Sequence, residues 1–234
     1  MQAKIVILSS AVAAYCLFSG VAMAGPLLTD SNSYFDGVTT WHGSTLFTDT
    51  QAGATLRAEV EYSVYAPGKF GTSAALGSPS AADPSTGTDF VYAYEIFNDR
   101  TGLNPSTTTV SNLSLGLLTG AIPFNSTRIG NDATTPELGI APNLSQFIPS
   151  GNPKQAAKWS YTQTTLNIGQ HSDILLFTSP FGPTTRQASM QGGDGATIPS
   201  AFLPTPVPEP TSLVVALIGA VCLLAKRYAR RRAC

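Results

Sequence analysis

The residues from Thr55 to Ala66 alternate strictly between apolar and polar side chains. Apolar residues occupy the even positions from 56 to 64, and charged or polar residues lie between them. This period of two is the spacing of a half-buried β-strand, because successive side chains of a strand point to opposite faces of a sheet. No window between residues 25 and 198 keeps a helical period over three turns. The pattern restricts the chain to antiparallel β architecture.

Other segments carry related strand signals. Strong signals occur at 90–97, 108–118, 158–168 and 172–178, and weaker ones at 45–48, 121–124 and 144–148. The run 172–178 is apolar without alternation, which predicts a strand buried on both faces. Long loops rich in Gly, Pro and Ser are expected at 67–88 and 130–143. About eight short strands separated by such turns predict an all-β fold, a two-sheet antiparallel sandwich or jelly-roll-like domain over residues 25–198.

After Phe181 the periodicity is lost, and the composition shifts toward Gly, Pro, Thr and Gln. The end of this stretch, residues 199–206, is predicted to be a semi-extended Pro-rich linker between the domain and the rest of the chain. Directly after it comes the sequence Val207-Pro208-Glu209-Pro210.

The segment 211–225 has no charged residue and is rich in Leu, Val, Ala and Ile. As a helix it covers about 22 Å, short of a bilayer core of about 30 Å, so membrane insertion requires local thinning or snorkelling side chains. A buried core helix is the alternative for a run this short. The residues that follow, 226–234, contain five cations that predict a cytoplasmic end: Lys226, Arg227, Arg230, Arg231 and Arg232. A core helix seldom runs straight into such a cluster, which favours one short transmembrane helix.

The beginning of the chain predicts a secretory signal peptide over residues 1–24. Lys4 supplies a positive charge, residues 5–17 form an apolar stretch, and Ala22-Met23-Ala24 is an Ala-x-Ala cleavage site ahead of Gly25. Signal peptidase is therefore an expected partner. The residues between the two apolar segments are expected to lie outside the inner membrane.

Residues 207–232 resemble the C-terminal sorting signal of bacterial PEP-CTERM proteins. The resemblance is carried by Pro208-Glu209-Pro210, the apolar segment 211–225 with Gly219, and the Arg-rich end. It implies that an exosortase, an integral-membrane cysteine transpeptidase, cuts near the Pro-Glu-Pro element and passes the protein toward the cell surface or extracellular matrix. It covers only the end of the chain and implies nothing about the domain ahead of it.

Charge and cysteine content limit the partners and the catalytic groups that are expected in the exported part. Of the 13 Lys and Arg residues, seven remain once Lys4 and the five tail cations are set aside, against 14 Asp and Glu, so this part carries a net charge of −7. An acidic surface argues against a nucleic-acid partner, which requires clustered cations. The three cysteines, Cys16, Cys222 and Cys234, lie outside residues 25–206. No disulfide or cysteine nucleophile is therefore expected in the domain.

Three groups of residues are candidates for binding or catalysis. Asp83 and Asp89 flank a turn where two carboxylates can hold calcium, with a solvated acidic turn as the alternative. Glu59 and Glu61 share one strand face, as paired glycosidase carboxylates do, although a solvated strand face is the expected reading. Trp41 and Tyr65 are candidates for stacking on a sugar, and Tyr65 lies on the polar face of its strand.

The sequence contains no recognisable catalytic motif. We therefore expect that the protein is not an enzyme. The leading hypothesis is an exported, surface-sorted structural or adhesive component of a bacterial extracellular or exopolysaccharide matrix, processed by an exosortase. The alternative is a secreted carbohydrate-binding module or a weak glycoside hydrolase. Extracellular polysaccharide is a candidate partner under both hypotheses.

Overall fold

The computed structural model describes residues 27–73, 76, 85–98, 105–123, 128–132, 139–151 and 153–208. Within these residues the regular structure is ten β-strands and one short 3-10 turn, Phe70–Thr72. The strands are β1 His42–Gln51, β2 Ala54–Tyr65, β3 Phe90–Asn98, β4 Val110–Gly116, β5 Ile129–Asp132, β6 Leu144–Ile148, β7 Ala156–Ser160, β8 Ile174–Ser179, β9 Pro183–Gly192 and β10 Ser200–Pro206.

The strands form two five-stranded antiparallel sheets. The first has the order β1-β2-β3-β8-β5 and the second the order β10-β9-β4-β7-β6. A two-residue turn joins β1 to β2, and both of its residues have positive φ, 51° at Ala52 and 83° at Gly53. Two-residue hairpin loops of this kind match the right-handed twist of the flanking strands. The all-β prediction is confirmed for the described residues.

Most of the predicted strands lie where the sequence places them. β2, β3, β4, β6 and β8 coincide with predicted segments, and the weak signal at 45–48 is the centre of the longer β1. The side chains of Leu56, Ala58, Val60 and Val64 are buried in the core between the sheets, as the alternation predicts. Every residue of β8 is buried, which confirms a strand covered on both faces.

Two predicted strands are shorter or absent. The segment predicted at 158–168 is regular only as far as Ser160, because Asn143 Oδ1 accepts the backbone N–H groups of Gln163 and Thr164 and so holds an exposed bend. Residues 121–123 form a bend rather than a strand, and it follows a turn that the Ala121 N–H closes by donating to Leu118 O. Phe124, at the end of that predicted segment, lies outside the described residues.

The prediction of a linker at 199–206 is wrong. Residues 200–206 form β10, which pairs with β9 along its whole length from Ser200↔Ser189 to Pro206↔Pro183. Leu203 is fully buried in the core, and Tyr94 Oη donates to Pro204 O. Pro204 and Pro206 are compatible with this strand because it is the edge of its sheet, where a missing N–H leaves no ladder bond unmade. The domain therefore extends at least to Pro206.

The main core lies between the two sheets and is centred on stacked and edge-on aromatic rings. Tyr92 stacks on Phe177 with centroids 4.9 Å apart, and Tyr94 and Trp159 lie 6.0 Å apart. Trp159 belongs to the second sheet, and its Nε1–H donates to Gly130 O of the first sheet at 2.8 Å. The two sheets are thus joined by a hydrogen bond as well as by apolar contact.

A second, smaller core covers the opposite face of the first sheet. It contains Leu27, Tyr65, Phe70, Leu76, Val91, Ala93, Ile174 and Leu176. Leu27, Phe70 and Leu76 supply covering side chains from outside the sheet, so the central strands of this sheet have apolar neighbours on both faces. This explains why the run in β8 lacks alternation.

Burial raises the pKa of the phenols of Tyr65, Tyr92, Tyr94 and Tyr161 above the ordinary value of 10. Below pH 10 these phenols are protonated in both the folded and unfolded states, so their raised pKa has no effect on stability. Above pH 10 the unfolded chain loses phenolic protons that the folded domain retains, and the free energy of unfolding decreases. We expect phenolate absorbance of these residues to develop only as circular dichroism reports unfolding. Reversible ionisation of these four phenols near pH 10 in the native state would contradict this prediction.

Among the described residues, no helix is both long and apolar enough to cross a membrane. The predicted signal peptide, with its cleavage residues Ala22, Ala24 and Gly25, lies outside the described residues. The same holds for the predicted transmembrane helix 211–225 and the basic tail 226–234.

Candidate functional site

The chain leaves the domain directly from β10 into the Pro-Glu-Pro motif. The backbone N–H of Val207 donates to Gly182 O at 3.0 Å. The ring of Pro208 lies over Gly120, with Cγ 4.0 Å from the place a β-carbon would occupy there. Val207 and Pro208 are half-buried. The first half of the motif is therefore held on the domain, and Glu209 and Pro210 lie outside the described residues.

Tyrosine hydroxyls hold the backbone around this exit. Tyr92 Oη donates to Phe181 O at 2.8 Å, and Tyr94 Oη donates to Pro204 O. Burial raises the pKa of both phenols, so both remain donors at any physiological pH. Gly182, which accepts from Val207, follows Phe181 directly. Two buried core side chains therefore hold the backbone of β10 and of the segment just before β9, beside the exit.

The sequence of the motif, with a proline on each side of Glu209, predicts extended backbone. Proline has no backbone donor, and the residue before a proline is kept in the extended region. Only three peptide steps separate Pro208 from Thr211, which span at most about 11 Å. The folded domain thus comes within about 11 Å of the start of the predicted membrane segment, with no spacer.

The expectation that Glu59 and Glu61 form a solvated strand face is wrong for Glu61. Glu61 is fully buried, and Glu95 of β3, its cross-strand partner, is 3% exposed. His171 Nδ1 lies 2.9 Å from Glu95 Oε1, and the imidazole ring stacks on Phe97. The sequence could not show this pairing, because it depends on the register of β2 against β3. A glycosidase needs two carboxyls that reach a sugar, and this depth argues against that role for Glu61.

Tyr65 is fully buried, and its ring packs edge-on against Phe70 with centroids 5.1 Å apart. Its hydroxyl donates to Asp30 Oδ2 at 2.7 Å, and Ser73 Oγ donates to the same carboxylate oxygen. Asp30 itself is 1% exposed. The stacking role predicted for Tyr65 is therefore not supported, because the ring faces the second core instead of solvent. No sequence signal marks Asp30, which lies in a turn.

Trp41 lies just before β1 and is half-buried against the main core. Its Nε1–H donates to Asp36 Oδ2 at 2.9 Å. The pKa of Asp36 is lowered, chiefly by the backbone N–H of Thr39, then by the Trp41 indole and the backbone N–H of Val38. This side chain is accessible at the edge of the domain, and its stacking on a ligand stays a prediction.

The structure describes only one of the two aspartates that are predicted to bind calcium. Asp83 lies outside the described residues. Asp89 Oδ2 forms an ion pair with Arg128 Nη1 at 3.1 Å, so a cation already neutralises the carboxylate proposed as a ligand. No group of three or more His, Cys, Asp or Glu residues is close enough to hold a metal ion in the described part of the chain. Calcium at this turn stays a prediction.

The chain matches no family model, no curated protein and no solved structure. The function has therefore to be argued from its own residues. Two features of the molecule bear on its function: the exit of β10 into Val207-Pro208-Glu209-Pro210, and the surface of the domain around that exit.

Proposed function

We propose that the protein is exported and held in the inner membrane by a transmembrane helix at 211–225, with its basic tail in the cytoplasm and its β domain outside. An exosortase-type transpeptidase then cuts near Pro208-Glu209-Pro210 and transfers the domain to the cell surface or extracellular matrix. The observation that carries the proposal is the order of elements after β10. A two-proline motif, an uncharged apolar segment and five cations follow one another without interruption.

The domain suits a structural or adhesive, non-enzymatic role at the surface. It has two cores built without cysteine, so its stability does not depend on disulfide formation. Its net negative charge favours solubility. Extracellular polysaccharide is the partner class we propose for an adhesive component of such a matrix. The burial of the Glu61 carboxylate argues against the hydrolase alternative.

Replacing Pro208, Glu209 and Pro210 with alanine should abolish processing and surface delivery in a host that carries an exosortase. The alanine motif keeps the apolar helix and the cations, so insertion into the membrane is expected to persist. The measurement is the mass of the chain in the inner-membrane and cell-surface fractions. Wild type should be found at the surface without its tail, and the variant in the inner membrane with its tail intact.

A control with alanine at residues 162, 163 and 165, which lie in an exposed bend on the domain, should be processed like wild type. If the chain with the alanine motif is shortened and delivered to the surface as efficiently as this control, the exosortase proposal is wrong.

A further inference from the structure

A short hairpin precedes β1 and projects from the first sheet. The Trp41 N–H donates to Tyr34 O at 2.8 Å, Phe35 bridges Thr40, and the Asp36 N–H donates to Thr39 O at 3.2 Å. Gly37 supplies the positive φ of 95° that the turn requires. We call residues 35–40 the tip hairpin.

The tip hairpin exposes two large apolar side chains that the fold does not use. Phe35 is 59% exposed and Val38 is 89% exposed. The single charge of the hairpin is Asp36, whose carboxylate accepts the backbone N–H groups of Val38 and Thr39 and the indole N–H of Trp41. Those bonds satisfy the carboxylate from within the hairpin. The outward surface therefore combines the apolar side chains of Phe35 and Val38 with the exposed carboxylate of Asp36, and the half-buried Trp41 ring lies behind it.

The tip hairpin lies at the end of the domain from which the chain leaves. The ring of Tyr34 contacts that of Phe90, with centroids 5.0 Å apart. Phe90 in turn lies against Gly182, 3.9 Å from its β-carbon position, and Gly182 O accepts the N–H of Val207. Three contacts in series thus connect Tyr34, the residue before the hairpin, to the motif.

The relative direction of the edge strands β1 and β10 also places the tip hairpin beside the exit of the chain. Thr45 Oγ1 of β1 donates to Phe202 O of β10, and farther along, the Ile198 N–H donates to Asp49 Oδ2. The two strands therefore run antiparallel, and the start of β1 lies beside the end of β10.

We infer that the tip hairpin rests on the outer surface of the phospholipid bilayer that holds residues 211–225, with Phe35 and Val38 at the boundary between headgroups and acyl chains. This inference rests on the proposed function, because it requires the C-terminal helix to be in the membrane. The connection from Pro208 to Thr211 is at most about 11 Å, so the end of the domain that bears the hairpin is held against the bilayer.

A bilayer suits this surface better than a soluble partner does. The short connection keeps the hairpin at a high effective concentration near lipid, so two apolar side chains suffice for contact. Tryptophan is enriched at membrane interfaces, and Trp41 lies directly behind the tip. The hairpin contains no cation, so the contact depends on apolar insertion. The contact orients the domain, because it keeps the same end of the domain toward the membrane until the motif is cut.

The test measures the depth of single labels in the full chain. The native cysteines Cys16, Cys222 and Cys234 are replaced by serine, and Val38→Cys is labelled with an environment-sensitive fluorophore. The protein is reconstituted in vesicles of phosphatidylethanolamine and phosphatidylglycerol that contain lipids with a quencher in the acyl chains. The matched control is Gln51→Cys, an exposed position at the other end of β1 and about 30 Å away along the strand.

A third sample keeps only Cys222, inside the predicted membrane helix, and reports whether the helix is inserted. We expect the labels at 38 and 222 to be quenched and blue-shifted and the label at 51 to be unaffected, with residue 38 about 5–10 Å into the boundary region. Adding Phe35→Ser to the Val38→Cys chain should reduce the quenching at 38.

The outcomes separate the two proposals. Quenching at 222 without quenching at 38 overturns the membrane contact of the hairpin and leaves the proposed anchoring intact, whatever other molecule the hairpin then binds. Equal quenching at 38 and 51 also overturns it, because the contact would not be specific to this end. Absence of quenching at both 222 and 38 overturns the anchoring and the contact together.

Discussion

A fragment that ends at residue 199 should fail to fold, whereas one that ends at residue 208 should unfold cooperatively. The shorter fragment stops close to the domain boundary that the sequence predicts, but it lacks all of β10. Its loss removes the ladder from Ser200↔Ser189 to Pro206↔Pro183 and leaves β9 as an unprotected edge.

The energetic cost of removing β10 approaches the whole stability of an ordinary domain. Burial of one side chain such as Leu203 contributes about 1.5–3 kcal/mol. The loss also leaves the buried hydroxyl of Tyr94 without its acceptor, Pro204 O, at about 1–3 kcal/mol. Together with seven unpaired strand residues, these losses are comparable to the 5–15 kcal/mol that separates most native domains from the unfolded state.

Urea unfolding of the two purified fragments, followed by circular dichroism and tryptophan emission, measures this difference. A single Leu203→Ala substitution in the longer fragment provides an intermediate case, with an expected loss of about 2–5 kcal/mol. If the fragment ending at 199 unfolds at the same urea concentration as the longer one, β10 is dispensable and residues 199–206 act as a linker after all.

The sequence predicts strands well where burial leaves a pattern and poorly where it does not. The sequence predicts β2 because its side chains alternate, and β8 because it is continuously apolar. β9 buries few side chains and is otherwise polar, and β10 contains two prolines, so neither shows a strand period. The two strands pair with each other, and β9 also pairs with β4, which is distant in sequence. An edge strand with proline is difficult to distinguish from a linker without its neighbours.

The same limit applies to the candidate residues. The alternation places Glu61 and Tyr65 on the correct face of β2, but it does not show what covers that face. Leu27, Phe70 and Leu76 cover part of it, and no strand or helix pattern in the sequence around them indicates a role in a core. The motif at 207–210 differs from these residues, because consecutive sequence alone suffices to identify it. The structure adds that the motif begins where the last strand ends.

The largest effect of a single core substitution is expected at Trp159. Its side chain is fully buried, contacts the rings of Tyr94 and Phe177, and donates to Gly130 O across the gap between the sheets. Trp159→Ala should lower the free energy of unfolding by about 3–5 kcal/mol, because it removes ring contacts and opens a cavity. With a urea dependence of about 2 kcal/mol/M, the midpoint should decrease by about 2 M.

Trp159→Phe separates the two contributions of this side chain. Phenylalanine keeps most of the apolar volume but cannot donate to Gly130 O, so the lost hydrogen bond is expected to cost about 0.5–1.5 kcal/mol. The chain offers a control of the same residue type, because Trp41 is its other tryptophan and lies half-buried at the domain edge. Trp41→Phe should have a smaller effect than either substitution at Trp159.

The two tryptophans also make the measurement specific, since each substitution leaves one fluorophore. In the Trp41→Phe chain the remaining emission comes from Trp159 and should be blue-shifted until the sheets separate. In the Trp159→Phe chain it comes from Trp41 and should lie farther to the red. If Trp159→Ala destabilises the domain no more than Trp41→Phe, the two sheets are not held together through Trp159. The core would then depend mainly on the Tyr92–Phe177 stack, and substitution of Phe177 should produce the larger loss.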